Sequence, residues 1–275
     1  MCRLLGVVGA SAGRLTDLLA TELPGFTALS AEHGDGWGVA HWHDGELRVD
    51  KEPTSAHTSQ GFTSALSRIT TDAALLHIRL ANPGSPLVLA NTHPFRSATV
   101  AFAHNGDFSP ADAVDDLLEP AMREAATGTT DSERFFLLVR QFLRRTDPVT
   151  ALSSAAAEVR RRATRYSGLN CLLLTEQSLF AYADHDPDSA VSRRRGPGFF
   201  PLNYLVEPDR VVVASTGWDQ PTPPWHHLDQ RHVLEVRRSD LRVSRHLTRP
   251  ELLPVAAAVR GPSGILSGPS ASPRG

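Results

Sequence analysis

The sequence predicts an α+β fold in which helices cover two stacked, mainly antiparallel β-sheets. Three observations carry that expectation. Short apolar strands recur along the whole chain, amphipathic helices are confined to a few segments, and the second half runs strand after strand. A doubly wound parallel sheet would need strict βα alternation, which that half lacks. The 275 residues can bury a full core and fit one large domain at least as well as two.

Residues 2–10 are dense enough in Leu and Val to form a buried strand. Residues 14–23 make a first helix, closed by Pro24-Gly25. Segments 36–43 and 46–51 flank Asp44-Gly45, whose tolerance of positive φ suits a type I′ hairpin turn. A helix over 58–66 follows, then core strands at 73–79 and 98–104. Residues 131–145 form a helix with Phe135, Leu138, Val139 and Phe142 on one face, and 151–162 a second, ending in Arg160-Arg161-Arg162. Further strands are expected near 169–175, 179–183, 199–206, 210–215, 232–236 and 241–245. There are no internal repeats. One domain should span residues 1–253, followed by a disordered Ala/Gly/Pro/Ser-rich tail at 254–275.

Composition excludes several classes of function. With a net charge of −2, 41% hydrophobic and 21% charged residues, nothing argues for nucleic acid or an anionic membrane as partner. No segment reaches the roughly 20 apolar residues that span a bilayer. The only cysteines, Cys2 and Cys171, are too few for a disulfide framework and sit in apolar contexts, which points to a cytoplasmic protein. Cys171 reads as a core residue. His41 and His43 share one strand face but lack the Cys or carboxylate partners of a zinc site, so no metal is expected. No phosphate loop is present, and no cofactor is expected. His226-His227 reads as a surface turn and Arg193-Arg194-Arg195 as a solvated loop.

Cys2 by itself reads as a small buried hydrophobe. Excision of Met1 before so small a residue would, however, place a thiol and a free α-amine on one residue. That amine, with an unperturbed pKa near ~7.7–8.0, can take the thiol proton and later hand it to a leaving group. Such a site needs an oxyanion hole and groups that hold the substrate. His33-Gly34-Asp35-Gly36-Trp37-Gly38 is a Gly-rich turn running into a strand, and Asn91-Thr92-His93-Pro94-Phe95 reads as a turn between strands. Arg79 ends an apolar strand in His77-Ile78-Arg79-Leu80-Ala81-Asn82, and its planar fork suits a carboxylate. In Ala103-His104-Asn105-Gly106-Asp107 the Asn105 amide and the Gly106 N–H can converge on an oxyanion, although alone this reads as an Asn-Gly turn. Thr129-Thr130-Asp131-Ser132-Glu133 opens a helix, with Thr130 or Asp131 as N-cap.

Each motif is modest, but their order is specific. Together they resemble class II glutamine amidotransferases, and most closely the small free-standing members that begin Met-Cys-x-Leu-Leu-Gly. The resemblance covers residues 2 to about 136. It implies a four-layer αββα sandwich of N-terminal-nucleophile hydrolase type. By position it makes Cys2 the nucleophile and Asn105 and Gly106 the oxyanion hole. Arg79 would hold the substrate's α-carboxylate and Asp131 its α-ammonium, helped by the Gly106 carbonyl. Where synthase-linked members read Arg-Trp-Ala-Thr-His-Gly, this chain has Arg79-Leu80-Ala81-Asn82-Pro83-Gly84. Asn82 thereby takes a substrate-binding position, in the Arg-x-Ala-Asn pattern of the free-standing members.

The implied reaction is hydrolysis of the side-chain amide of glutamine or a γ-glutamyl compound through a Cys2 γ-glutamyl thioester. Ammonia transfer would need a separate synthase or peptidase subunit, since the motifs fill almost half of the 275 residues. One alternative is a γ-glutamyl peptide or γ-glutamyl thiol-intermediate amidase without ammonia transfer. The other is a non-catalytic glutamine-binding regulator, against which the intact Cys2, Arg79, Asn105, Gly106 and Asp131 argue.

Overall fold

A computed structural model describes residues 2–221 and 224–248 of the chain. The expected tail at 254–275 lies outside the described residues. In chain order the elements begin with β1 (Arg3–Arg14), α1 (Leu15–Leu18), α2 (Leu23–Ala28), β2 (Trp37–His43) and β3 (Glu46–Glu52). Next come α3 (Gln60–Arg68), β4 (Thr70–Ile78), β5 (Phe95–Arg96), β6 (Ala101–Ser109), α4 (Pro120–Glu124), α5 (Asp131–Leu143) and α6 (Pro148–Arg162). The last are β7 (Arg165–Leu174), β8 (Ser178–Ala183), α7 (Ala190–Arg195), β9 (Leu202–Val206), β10 (Arg210–Ser215), β11 (Trp225–His227), β12 (His232–Arg237) and β13 (Val243–Leu247).

The strands form a seven-stranded sheet, ordered β11-β9-β10-β1-β4-β2-β3, and a six-stranded sheet, ordered β13-β12-β8-β7-β6-β5. Every pairing is antiparallel. The apolar density of β1 follows from its central place, buried on both faces. Leu4 and Val8 point into the layer between the sheets with Leu75, Ala101, Leu172 and Leu179. Leu5 and Val7 point outward, under Leu15, Phe26 and Phe62 of α1–α3. On the far side, Phe102 and Leu173 pack under Phe135, Phe142 and Leu152 of α5 and α6. Each such Leu or Phe contributes about 1.5–3 kcal/mol by leaving water. The outcome is the four-layer αββα sandwich that the sequence implied.

Several local expectations need correction. The helix expected over 14–23 is cut short: β1 runs on to Arg14, α1 covers only Leu15–Leu18, and α2 begins at Leu23. Pro24 stands in the first turn of α2 instead of ending a helix, because its missing N–H has no partner to lose there. Asn105-Gly106 is not a turn either; both residues lie within β6, which continues to Ser109. A Cβ on Gly106 would come within 1.7 Å of the Gly168 carbonyl oxygen on β7, so the glycine serves a close strand approach. Arg193, Arg194 and Arg195 form the last turn of α7, and His226-His227 belongs to β11, with the His226 ring stacked 5.2 Å from that of Tyr204. The Asp44-Gly45 hairpin stands as expected, with φ of 51° and 76°.

Candidate active site

Antiparallel pairing builds the first wall of the site. Arg3 of β1 lies opposite Ile78 of β4, so the residues just beyond each strand, Cys2 and Arg79, come out side by side at one end of the sheet. The second sheet contributes Gly106 from β6, and the start of α5 contributes Asp131. Cys2, Arg79, Asn82, Gly106 and Asp131 border one cavity of about 330 Å³, near the small end of the range for small-molecule sites, about 300–1,000 Å³. Asn105 is fully buried and does not border the cavity; its Oδ1 and Nδ2 have no hydrogen-bond partner among the described residues.

The Cys2 thiol is 8% exposed and donates to the Leu80 carbonyl at 3.9 Å. Burial pushes the thiol's pKa up, while the neighbouring Arg79 guanidinium pulls it down and Asp131 pushes it up again. At neutral pH the sulfur therefore rests as a thiol and needs a base. Arg79 is 3% exposed, and its guanidinium donates to Ser85 Oγ at 2.9 Å and to the Pro86 carbonyl at 3.3 Å. Among the described residues it has no carboxylate partner.

Asp131 is held on the opposite wall. Thr130 is the N-cap of α5, accepting from the Glu133 N–H at 3.2 Å, and Glu133 reaches back to the Thr127 and Gly128 N–H groups. The N-cap is thus Thr130 and not Asp131, whose carboxylate accepts from the Phe108 N–H at 2.9 Å and the first-turn Ser132 N–H at 2.8 Å. It has no cationic side-chain partner among the described residues, and burial pushes its pKa up against the pull of nearby His104.

Sequence reasoning gave no role to the residues that brace these walls. Asp35 accepts from the Ala81 N–H at 2.8 Å, and the Arg79 N–H donates to Gly36, which fixes the loop after β4. Asn91 donates to the Pro86 carbonyl at 3.2 Å and accepts from the Thr129 N–H at 2.9 Å, tying the Arg79 side of the cavity to the Asp131 side. His104 bonds the Gly168 carbonyl through Nε2 at 3.0 Å and Ser132 Oγ through Nδ1 at 2.8 Å. Asp35, Asn91 and His104 do stand inside the motifs read from the sequence; Gly168 has no local signal at all. A Cβ on Gly38 would lie 2.2 Å from the His93 carbonyl oxygen, which accounts for the second glycine of Asp-Gly-Trp-Gly.

Two antiparallel sheets between helical layers, with a cysteine at the head of the central strand, define a fold of the N-terminal-nucleophile hydrolase type. The sequence model described as glutamine amidotransferases class-II matches residues 1–238, and the chain belongs to that family. It is 30% identical over 193 residues to an uncharacterised protein of Methanocaldococcus jannaschii, covering 67% of this chain and 51% of that one. It is 29% identical over 159 residues to a probable glutamine amidotransferase of Saccharomyces cerevisiae, covering 50% and 44%. The chain thus spans about half the length of these relatives. Among solved structures, a glutamine aminotransferase class-II domain protein from Silicibacter pomeroyi aligns with a TM-score of 0.65 at 21% identity, over 90% of this chain and all of that one. The glutamine phosphoribosylpyrophosphate amidotransferase of B. subtilis aligns at 0.58 and 19%, over 89% and 49%. At these identities the two structures share the fold. No described helix is long and apolar enough to cross a membrane.

Proposed function

We propose that the protein hydrolyses the side-chain amide of glutamine or a γ-glutamyl compound, in the cytoplasm, through a γ-glutamyl thioester on Cys2. One observation carries this reading: a buried guanidinium and a buried carboxylate, Arg79 and Asp131, border the same small cavity as Cys2, and neither has an ion partner among the described residues. Holding two opposite charges apart and unpaired costs free energy, and an α-amino acid head group offsets that cost by pairing with both.

Once Met1 is removed, the Cys2 α-amine takes the thiol proton and the thiolate attacks the side-chain amide carbon. The carbonyl oxygen becomes an oxyanion held by the Gly106 N–H, and the unpartnered Asn105 amide, buried just behind the cavity wall, turns to meet it as the second donor. As the C–N bond breaks, the α-ammonium returns its proton to the departing ammonia or amine. Water, deprotonated by the same amine, then cleaves the thioester to glutamate and the free thiol. The test begins with intact mass, which must show a chain lacking Met1. Cys2→Ala should then abolish glutamate release while unfolding at the same denaturant concentration as the parent. Retained Met1, or hydrolysis surviving in the variant, would sink the assignment.

A further inference from the structure

A second cavity is larger than the one at Cys2. It measures about 700 Å³ and opens where the edge strands of both sheets, β3 and β5, meet α5. Its walls carry Lys51 and Arg48 of β3, Arg68 of α3, Arg96 of β5 and Arg140 of α5, against the carboxylates of Asp50 and Glu133. The acids are already engaged: Asp50 pairs with Arg68, and Glu133 takes backbone N–H groups of Thr127 and Gly128 and the guanidinium of Arg134. Arg48 pairs with Glu46 outside the cavity.

Three cations remain without a carboxylate among the described residues. Lys51, the only lysine in the chain, donates to the carbonyls of Thr92 at 2.6 Å and Pro94 at 3.4 Å. Arg96 donates only to the Leu47 carbonyl at 3.2 Å. Arg140 lies 5.8 Å from the centre of the Phe136 ring. Partial burial brings Lys51 down to about 8, against the pull of the Glu133 carboxylate, and lowers Arg140 as well. His41 borders the same space at 5% exposure, and its buried Nδ1 has no partner among the described residues. Phe95 and Phe136, stacked with centroids 6.0 Å apart, supply an apolar wall.

We infer that this cavity is a second ligand site, for a small organic molecule carrying at least two anionic oxygens, as a phosphate ester or a dicarboxylate does. Its volume suits a whole small molecule, and planar guanidinium forks with a flexible ammonium match grouped anionic oxygens. The catalytic cavity takes a zwitterionic head group between one cation and one anion; this one presents uncompensated positive charge only.

The experiment titrates the full-length protein, at low ionic strength, with inorganic pyrophosphate, adenosine monophosphate and citrate by calorimetry. At least one probe should bind, and Arg96→Ala/Arg140→Ala should weaken it at least about tenfold, one lost charge-assisted contact being enough for that. Arg79→Ala, which alters the other cavity, should leave its affinity unchanged. Adenosine monophosphate or pyrophosphate binding without citrate assigns phosphate groups, and citrate binding alone assigns carboxylates. No binding by any probe, equal affinity in the double variant, or loss of binding in Arg79→Ala each overturns the inference.

Discussion

Asn105→Ala separates a catalytic amide from a structural one, because the structure predicts opposite effects on activity and stability. The Asn105 amide is fully buried with neither polar atom paired among the described residues. Burying such an amide unpaired costs about 1–3 kcal/mol, which truncation relieves. Against that stands the space left behind: at about 24 cal/mol per Å³, a residual cavity of roughly 40 Å³ costs about 1 kcal/mol. The balance runs from neutral to about 2 kcal/mol in favour of the variant. Activity should move the other way, since loss of one oxyanion donor lowers kcat about 10²–10³-fold. Steady-state glutamate release and urea unfolding of the same preparations give both numbers. An unchanged kcat with stability lower by more than about 2 kcal/mol would refute the argument, because it would make the amide a packing group.

Charge at the nucleophile is testable without turnover. Arg79 favours the Cys2 thiolate and Asp131 disfavours it, so the pH midpoint for iodoacetamide alkylation of Cys2 should rise in Arg79→Ala and fall in Asp131→Asn; shifts of the same sign in both would discredit the geometry. Gly38→Ala forces a Cβ to within 2.2 Å of the His93 carbonyl oxygen and 2.6 Å of Pro94 Cδ, which strand backbone must move to admit. Such overpacking costs about 1–3 kcal/mol, a fall in Tm of roughly 2–12 °C for a domain of this size, and an unaltered Tm would show that the two segments separate freely.

The layers of the fold were legible because burial leaves a period in the sequence. From Leu4 to Val8, β1 is apolar on both sides of the pleat because both faces are covered there, and α5 carries Phe135, Leu138, Val139 and Phe142 at helical spacing on its core side. Errors arose where local chemistry is ambiguous. Pro24 ends a helix or starts one with equal ease, and nothing near it says which. Asn-Gly favours a tight turn, yet in β6 the glycine admits a carbonyl from another strand, a demand set 62 residues further along the chain at Gly168. The short α7 and β11 bury too little to leave a pattern.

The site divides in the same way. Cys2, Arg79, Asn82, Gly106 and Asp131, singled out in the sequence by side-chain chemistry and by their place at the end of, or within, a recognisable element, border one cavity. Their bracing was hidden, since it depends on contacts between residues distant in sequence. His104 shows why the bracing matters. Burial holds its pKa down, so the ring stays neutral. With Nε2–H given to the Gly168 carbonyl, Nδ1 accepts from the Ser132 hydroxyl. A charged imidazolium here would become the counter-ion of Asp131 and compete with any ammonium in the cavity. Kept neutral, His104 fixes the strand behind Gly106 and the first turn of α5 together and leaves Asp131 with no cationic side-chain partner among the described residues.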